Sequence, residues 1–500
     1  MTFEDRISRY VDAGFPILYL NTFEDGKAQN AIINAAQQYG NTQIRIWDGT
    51  DRICDENGEV KYTVSTGMSL VEFLDDRMTF ERPQFLVFKD IEVFKESIGL
   101  LARIKKLASL IHEGKLETTI FIISPILQIP KELEKYITVL EMDYLSVNEI
   151  QNIVHNFLQG QEKTVSLQLE RKFATTLKGL SEFEIQNILQ LACSTSDELT
   201  SEQVSLVFEQ KQQMIKKAGI LEMIPLKESL TDIGGLENLK KWLKQKATIF
   251  KNMDAAKKFG VDMPKGVLIA GVPGCGKSLS AKAAANLFSV PLLRLDMGRL
   301  LGKYVGESES NMRKAIELAE AISPCVLWID ELEKAFAGIN GDGAGAEVTT
   351  RLLGTFLTWL QEKESPVFVV ATANNITKLP PELLRKGRFD EVFYVGLPKP
   401  AERRKIFEIH IGKRRPQDLS QIDISMQKLV EKTEGYSGAD IEGVVREGVE
   451  AAFTQEKSIL SADDLLNVIN HTHSLSEIMK DSIDSMKKEY EERKFKNASI

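Results

Sequence analysis

The chain has few of the residues that build metal or disulfide frameworks. Its four cysteines, Cys54, Cys193, Cys275 and Cys325, are scattered over 500 residues without paired zinc-ligand spacing. That excludes a disulfide scaffold and fits a reducing compartment. The five histidines, His112, His155, His410, His471 and His473, form no obvious ligand set. His471 and His473 pair only loosely, and a solvated helix end explains them better. No His-Glu-x-x-His occurs, which argues against a zinc protease. No stretch reaches about 18 apolar residues, and Met1 to Arg6 carries two acids before any apolar run. Neither a membrane span nor a secretory signal is therefore expected. Low-complexity segments and short-period repeats are also missing. The expected location is the cytoplasm, or the plastid stroma if the source is an alga.

Basic charge is short as well. The 72 acidic residues exceed the 63 basic ones, for a net charge of −9. Global charge thus offers nucleic acid no attraction, although a local basic channel is compatible with it. What the chain does have is apolar mass: 43% hydrophobic residues against 27% charged, enough for sizeable cores. At roughly 150 residues per domain, about three folding units are expected.

The apolar runs at 16–20, 43–48, 85–90 and 119–124 read as buried strands, with helices at 27–38 and 92–112 as crossovers. Residues 1–145 are thus expected to form an α/β domain. A helical, lid-like subdomain over 146–198 and a helical linker over 199–225 follow. A second α/β block at 226–397 has strands near 266–270, 290–295, 325–330 and 366–371. A helical lid at 398–470 and a charged helical tail at 471–500, read as a solvated arm, complete the chain. Both halves run from alternating strands to a helical lid, a layout that points to internal duplication; the alternative is the same ordinary architecture occurring twice.

Gly271-Val272-Pro273-Gly274-Cys275-Gly276-Lys277-Ser278 follows an apolar strand and precedes an Ala-rich helix. In that setting the glycines let backbone N–H groups wrap phosphates, Lys277 reaches the β and γ phosphates, and Ser278 ligates magnesium. Cys275 reads either as an oxidation site or as a small loop residue. The run Cys325 to Ile329 ends in Asp330 and Glu331. Asp330 is placed to hold magnesium and Glu331 to polarise the attacking water. A third strand, Val367 to Ala371, ends near Thr372 and Asn374. Asn374 either orients the lytic water with Glu331 or, with Asn375, simply caps a turn. Arg385 and Arg388 suit insertion into a neighbouring subunit's site, a surface ion pair being the alternative.

With these motifs in place, residues 226–470 resemble the AAA family of ATPases associated with diverse activities. The resemblance makes Asp232-Ile233-Gly234-Gly235 the motif beside adenine, and Gly271–Ser278 and Val326–Glu331 the Walker A and B motifs. It puts Asn374 at sensor 1, Arg385 and Arg388 at the arginine fingers, and Gly435-Tyr436-Ser437-Gly438-Ala439-Asp440 at the lid motif. It implies ATP and Mg2+ as ligands, with Asp232, Ile233, Gly234, Pro273, Gly274, Cys275, Gly276, Lys277, Ser278, Leu279, Gly438 and Ala439 lining the nucleotide. A homo-hexamer with shared sites is also implied, and Lys303, Tyr304 and Val305 fall on the pore loop that grips a polypeptide. The alternative for Tyr304 is a core or interface aromatic. Gly338 to Ala346 resembles a second pore loop. Trp328, Gly354–Leu360 and Ala373-Asn374-Asn375 resemble the group of AAA open reading frames found in algal plastids and cyanobacteria.

The first half reads as a degenerate version of the same module, an unrelated α/β adaptor being the alternative. Asn21 to Lys27 stands where a phosphate loop would, but its glycines are missing, and Glu24 and Asp25 would repel phosphate. Asp90 ends a strand and is followed by Ile91 rather than a water-polarising acid. The function expected is an ATP-hydrolysing ring that remodels or threads a protein client. The alternatives are an ATP-dependent switch or scaffold and, less in keeping with the acidic charge, a nucleic-acid-stimulated motor.

Overall fold

β1 (Ile17–Asn21), β2 (Gln43–Trp47), β3 (Arg52–Cys54), β4 (Val60–Thr63), β5 (Gln84–Lys89), β6 (Thr118–Ser124) and β7 (Ile137–Glu141) form one sheet, in the order β4-β3-β2-β5-β6-β1-β7. The computed structural model describes residues 3–22, 24–47, 52–63, 70–89, 98–124, 129–142, 144–161, 163, 165–195, 201–300, 307–335, 344–385 and 387–500. Two compact units emerge: residues 1–175 with 180–199, and residues 176–179 with 200–500.

In the first unit, alternation along each strand feeds two cores. Ile17 and Tyr19 of β1 join one, and Leu18 and Leu20 join the other. Helices on both faces therefore bury the whole strand, which is why it reads as a continuous apolar run. The short β3 and β4 pair antiparallel at one edge, and β7 is only partly buried. Their sequence patterns are correspondingly weak, and periodicity does not mark them. Helices Val147–Gly160, Leu167–Leu177 and Glu182–Thr195 follow.

The second unit carries β8 (Leu221–Ile224), β9 (Gly266–Gly271), β10 (Leu292–Leu295), β11 (Cys325–Ile329), β12 (Val367–Ala373), β13 (Glu391–Val395) and β14 (Lys496–Asn497). Their order is β14-β13-β9-β12-β11-β10-β8. Numbering β1, β2, β5, β6 and β7 of the first unit, and β9 to β13 of the second, from one to five gives the same spatial order, 2-3-4-1-5, in both. The two units thus share one strand order. A helical lid with its own core, including Phe407, Met426, Ile441, Val445 and Leu465, packs from Pro400 to Ile469. Among the described residues no helix is long and apolar enough to cross a membrane.

Two segments differ from the sequence expectation. Residues 199–225 are more than a linker: β8 pairs antiparallel with β10, and the stretch from Thr200 clusters with the second unit. The C-terminal arm is docked, not solvated. Ile483, Met486 and Tyr490 share one face of the helix Lys480–Glu492 and enter the main core. The charge of the other face masks this stripe in the sequence. Beyond that helix, Ala498 is fully buried, and its carbonyl accepts from the N–H groups of Asn238 (3.0 Å) and Leu239 (3.2 Å). The helix Glu237–Lys251 starts at Leu236, in the left-handed region and without a side-chain cap, so the tail supplies the acceptor its first turn lacks.

Candidate active site

The chemistry-bearing residues collect at the C-terminal ends of β9, β11 and β12, where open α/β sheets bind ligands. After β9 the chain turns through Val272–Gly276 into the helix Lys277–Phe288. Gly271, Gly274 and Gly276 have φ of +148°, +73° and +88°, which side chains rarely adopt. A Cβ on Gly271 would lie 2.0 Å from the Val395 carbonyl oxygen, so only glycine lets the loop rest against β13. Gly276 caps the helix without a side-chain bond, which leaves the leading amides available to an anion. Pro273 and Leu279 are half-buried beside the loop.

Lys277 is buried, and its ammonium donates to the carbonyls of Gly271 (3.0 Å) and Val272 (2.8 Å). Burial pulls its pKa down to about 8, against the attraction of Glu333, Asp330 and Glu331. Burial pushes the Cys275 thiol up to about 11. The thiolate needed for oxidation is therefore scarce at neutral pH, which favours the small-loop-residue reading.

Ser278 Oγ donates to Asp330 Oδ1 at 3.2 Å, and Thr372 Oγ1 donates to the same oxygen at 2.5 Å. Thr372 also accepts the Glu331 N–H at 3.2 Å. It thereby sets two neighbouring acids at once. Glu331 has a φ of +51°. Its Oε1 accepts from Asn374 Nδ2 at 3.2 Å, while Oε2 pairs with Lys334 at 2.6 Å. The turn-capping alternative for Asn374 belongs to its neighbour: Asn375 Oδ1 accepts from Thr377 N–H at 2.8 Å.

The lid reaches the phosphate loop directly. Ala439 N–H donates to the Gly274 carbonyl at 3.0 Å, and a Cβ on Gly438 would sit 3.1 Å from that oxygen. Ile233 is buried, Gly234 packs so closely that a Cβ would meet Ile406 at 2.5 Å, and one on Gly235 would meet Glu402 at 2.3 Å. Asp232 faces the lid: its carboxylate pairs with Lys413 at 2.5 Å and is held below its ordinary range chiefly by that contact. The segment is thus a joint between sheet and lid, and its carboxylate is spent on that joint.

Arg385 is exposed, and Arg388 donates to the Glu382 carbonyl. Lys303, Tyr304 and Val305 lie outside the described residues, as do Asp90, Ile91 and residues 338–343. Ala344 to Ala346, expected in a loop, begin the helix Ala344–Glu362. Sequence reasoning missed Glu333 and Lys334, and it noted Thr372 only as a strand end. Thr372 and Glu333 act across the adjacent ends of β11 and β12, which no local motif displays, whereas Lys334 meets Glu331 locally, three residues on.

The first unit has a counterpart to the loop–lid contact. Its β1 leads into the helix Asp25–Gln37, as β9 leads into Lys277–Phe288. In place of a glycine loop, Glu24 Oε1 accepts from Glu182 N–H at 2.7 Å, at the start of the helix Glu182–Thr195. Ser181 and Glu184 form a reciprocal cap there, as Ser437 and Asp440 do in the lid. Gly179 and Gly435 precede them with φ of +81° and +79°.

A glycine phosphate loop on the first of five parallel strands, with an Asp-Glu pair on the third, defines a P-loop nucleoside triphosphatase. The family described as "ATPase family associated with various cellular activities (AAA)" matches residues 267–397, and "AAA+ lid domain" matches 423–467. "SpoVK-like AAA ATPase, N-terminal domain" matches 3–142, and its second domain matches 148–218. The protein named "Uncharacterized AAA domain-containing protein ycf46" of Guillardia theta is 39% identical over 97% of this chain and 94% of its own length. That of Pyropia yezoensis is 34% identical over 100% of both. A proteasome-activating nucleotidase of Methanopyrus kandleri is 35% identical over 48% of this chain and 56% of its own. The chain belongs to the AAA family of ATPases, and its activity is ATP hydrolysis.

Proposed function

We propose that the chain is the subunit of a homo-hexameric ring that turns ATP hydrolysis into remodelling of a protein client. The observation that carries this reading is the convergence of Ser278, Asp330, Glu331 and Asn374 at the ends of three adjacent strands, within the hydrogen bonds given above. Amides of Gly274 to Ser278 and the Lys277 ammonium bind the phosphates. Ser278 and Asp330 supply two hard oxygens, one of them anionic, which fit a magnesium ion that retains several waters. That ion, when bound, neutralises charge building on the phosphates. Glu331 accepts a proton from the attacking water, and the Asn374 amide holds the carboxylate and the water in line.

Arg385 and Arg388 act on a neighbouring subunit's γ-phosphate in this reading. The exposure of Arg385 supports it. Contact between Ala439 and Gly274 makes the lid a lever, since a nucleotide bound between loop and lid changes their spacing. Tyr304, read from the sequence alone, is the residue assigned to grip the client. By name, the Methanopyrus kandleri relative links nucleotide hydrolysis to a proteasome, which supports a protein client.

The first unit is proposed to hold no nucleotide. A carboxylate at Glu24 occupies the lid-facing place where the other unit offers phosphate-loop backbone, and it repels phosphate. Light scattering of Glu331→Gln across protein concentration, with and without ATP, tests the ring. A hexamer mass with ATP supports it, whereas a persistent monomer favours a switch that acts through a partner.

A further inference from the structure

Glu333 is a carboxylate in an unusual place. It lies on the four-residue helix Leu332–Ala335 just beyond β11 and is only 6% exposed. Its Oε1 accepts the Asn374 N–H at 2.9 Å. Its Oε2 is buried with no hydrogen-bond partner among the described residues. Burying a carboxylate for one backbone bond costs stability, and an apolar side chain would fill the space more cheaply.

The bond nevertheless has a clear geometric consequence. Three acids after β11 grip three groups after or within the end of β12: Asp330 takes the Thr372 hydroxyl, Glu331 the Asn374 amide, and Glu333 the Asn374 backbone. The Asn374 side chain is therefore aimed from a backbone that Glu333 anchors. Without that anchor, the residue after β12 is free to shift, and the 3.2 Å contact to Glu331 shifts with it. The same carboxylate offsets part of the burial of Lys277. The Tyr490 hydroxyl, also buried without a hydrogen-bond partner among the described residues, feels its charge as well.

We infer that Glu333 is a positioning residue for ATP hydrolysis, anchoring the Asn374 backbone so that the Asn374 amide aligns Glu331 and its water. This rests on the role proposed for Asn374, so the test separates the two. Steady-state kcat and KM and equilibrium ATP affinity are measured on the full chain for Glu333→Ala, Glu333→Gln, Asn374→Ala and the double alanine variant. Loss of alignment predicts a kcat about ten- to a hundredfold lower in Glu333→Ala, with ATP affinity changed by less than about threefold. Glu333→Gln retains a carbonyl acceptor and should recover most of kcat. The double variant should be no slower than Asn374→Ala, because both act through one group.

Glu333→Ala with normal kcat beside a slow Asn374→Ala overturns the inference alone. Asn374→Ala with normal kcat overturns it together with the role of Asn374. Multiplicative losses in the double variant, or Glu333→Gln as slow as Glu333→Ala, also overturn it. Should Glu333→Ala fail to fold, the comparison of Glu333→Gln with Asn374→Ala decides: a folded but equally slow Glu333→Gln contradicts an acceptor role.

Discussion

Asn374 Nδ2 and Glu331 Oε1 lie 3.2 Å apart, joining the ends of β12 and β11. Glu331 reaches this contact from a backbone φ of +51°, a region costly for a residue with a side chain. The Thr372 hydroxyl accepts the Glu331 N–H and fixes its backbone, while Lys334 pairs with its carboxylate. If Glu331 is the base proposed above, it is held in place before substrate arrives.

Lys277 gives the site a pH signature. In the empty site burial depresses its pKa to about 8, so part of the population is neutral from there upward. Phosphate favours the ammonium, which means that ATP binding between about pH 8 and 9.5 takes up protons, approaching about one per site. Affinity falls as pH rises through this window. Calorimetry in buffers of different ionisation enthalpy measures the uptake, and proton release on binding would contradict it.

Glu24 leads to two measurable expectations. Each chain should bind one nucleotide, and Lys277→Ala should remove that binding entirely; residual stoichiometric binding would place a second site in the first unit. Glu24→Ala should cost roughly 1–3 kcal/mol locally, because a charge-assisted bond at the start of Glu182–Thr195 is lost. Faster hydrogen exchange at Glu182 to Glu184 checks this, and unchanged exchange would show that the bond does not hold the helix.

Tyr490 separates packing from hydrogen bonding in the docked tail. Its ring stacks on Tyr394 with centroids 4.1 Å apart, while its buried hydroxyl has no hydrogen-bond partner among the described residues. Tyr490→Ala should cost about 3–5 kcal/mol of stability. Tyr490→Phe should be neutral or stabilising, because it removes an unsatisfied polar group. Thermal unfolding of both variants tests the pair, and a large loss in Tyr490→Phe would mean that the hydroxyl is bonded.

Legibility in the sequence follows how local each cause is. The phosphate loop is contiguous, and β9, β11 and β12 are buried on both faces, so their residues announce both fold and site. Thr372 and Glu333 were not legible as site residues. Parallel register pairs Ile329 with Ala371 and so sets Asp330 beside Thr372, and Glu333 reaches Asn374 from the helix that follows β11. β8 and β14 are short edge strands whose placement depends on distant partners. The Glu24–Glu182 bond spans 158 positions, and only the fold brings its ends together. In the same way, the strand order that the two units share, and the Gly-x-Ser-x-x-acid start of a helix in each half, become visible only once the sheets are assembled.

The central claim is that Glu331 activates water while other groups bind nucleotide. Single-turnover phosphate release, measured beside equilibrium ATP binding for the natural chain and Glu331→Gln, tests it most directly. The account predicts similar ATP affinity in both, with release slowed at least about a hundredfold in Glu331→Gln. Comparable release from the two proteins would contradict it and move the base to another residue.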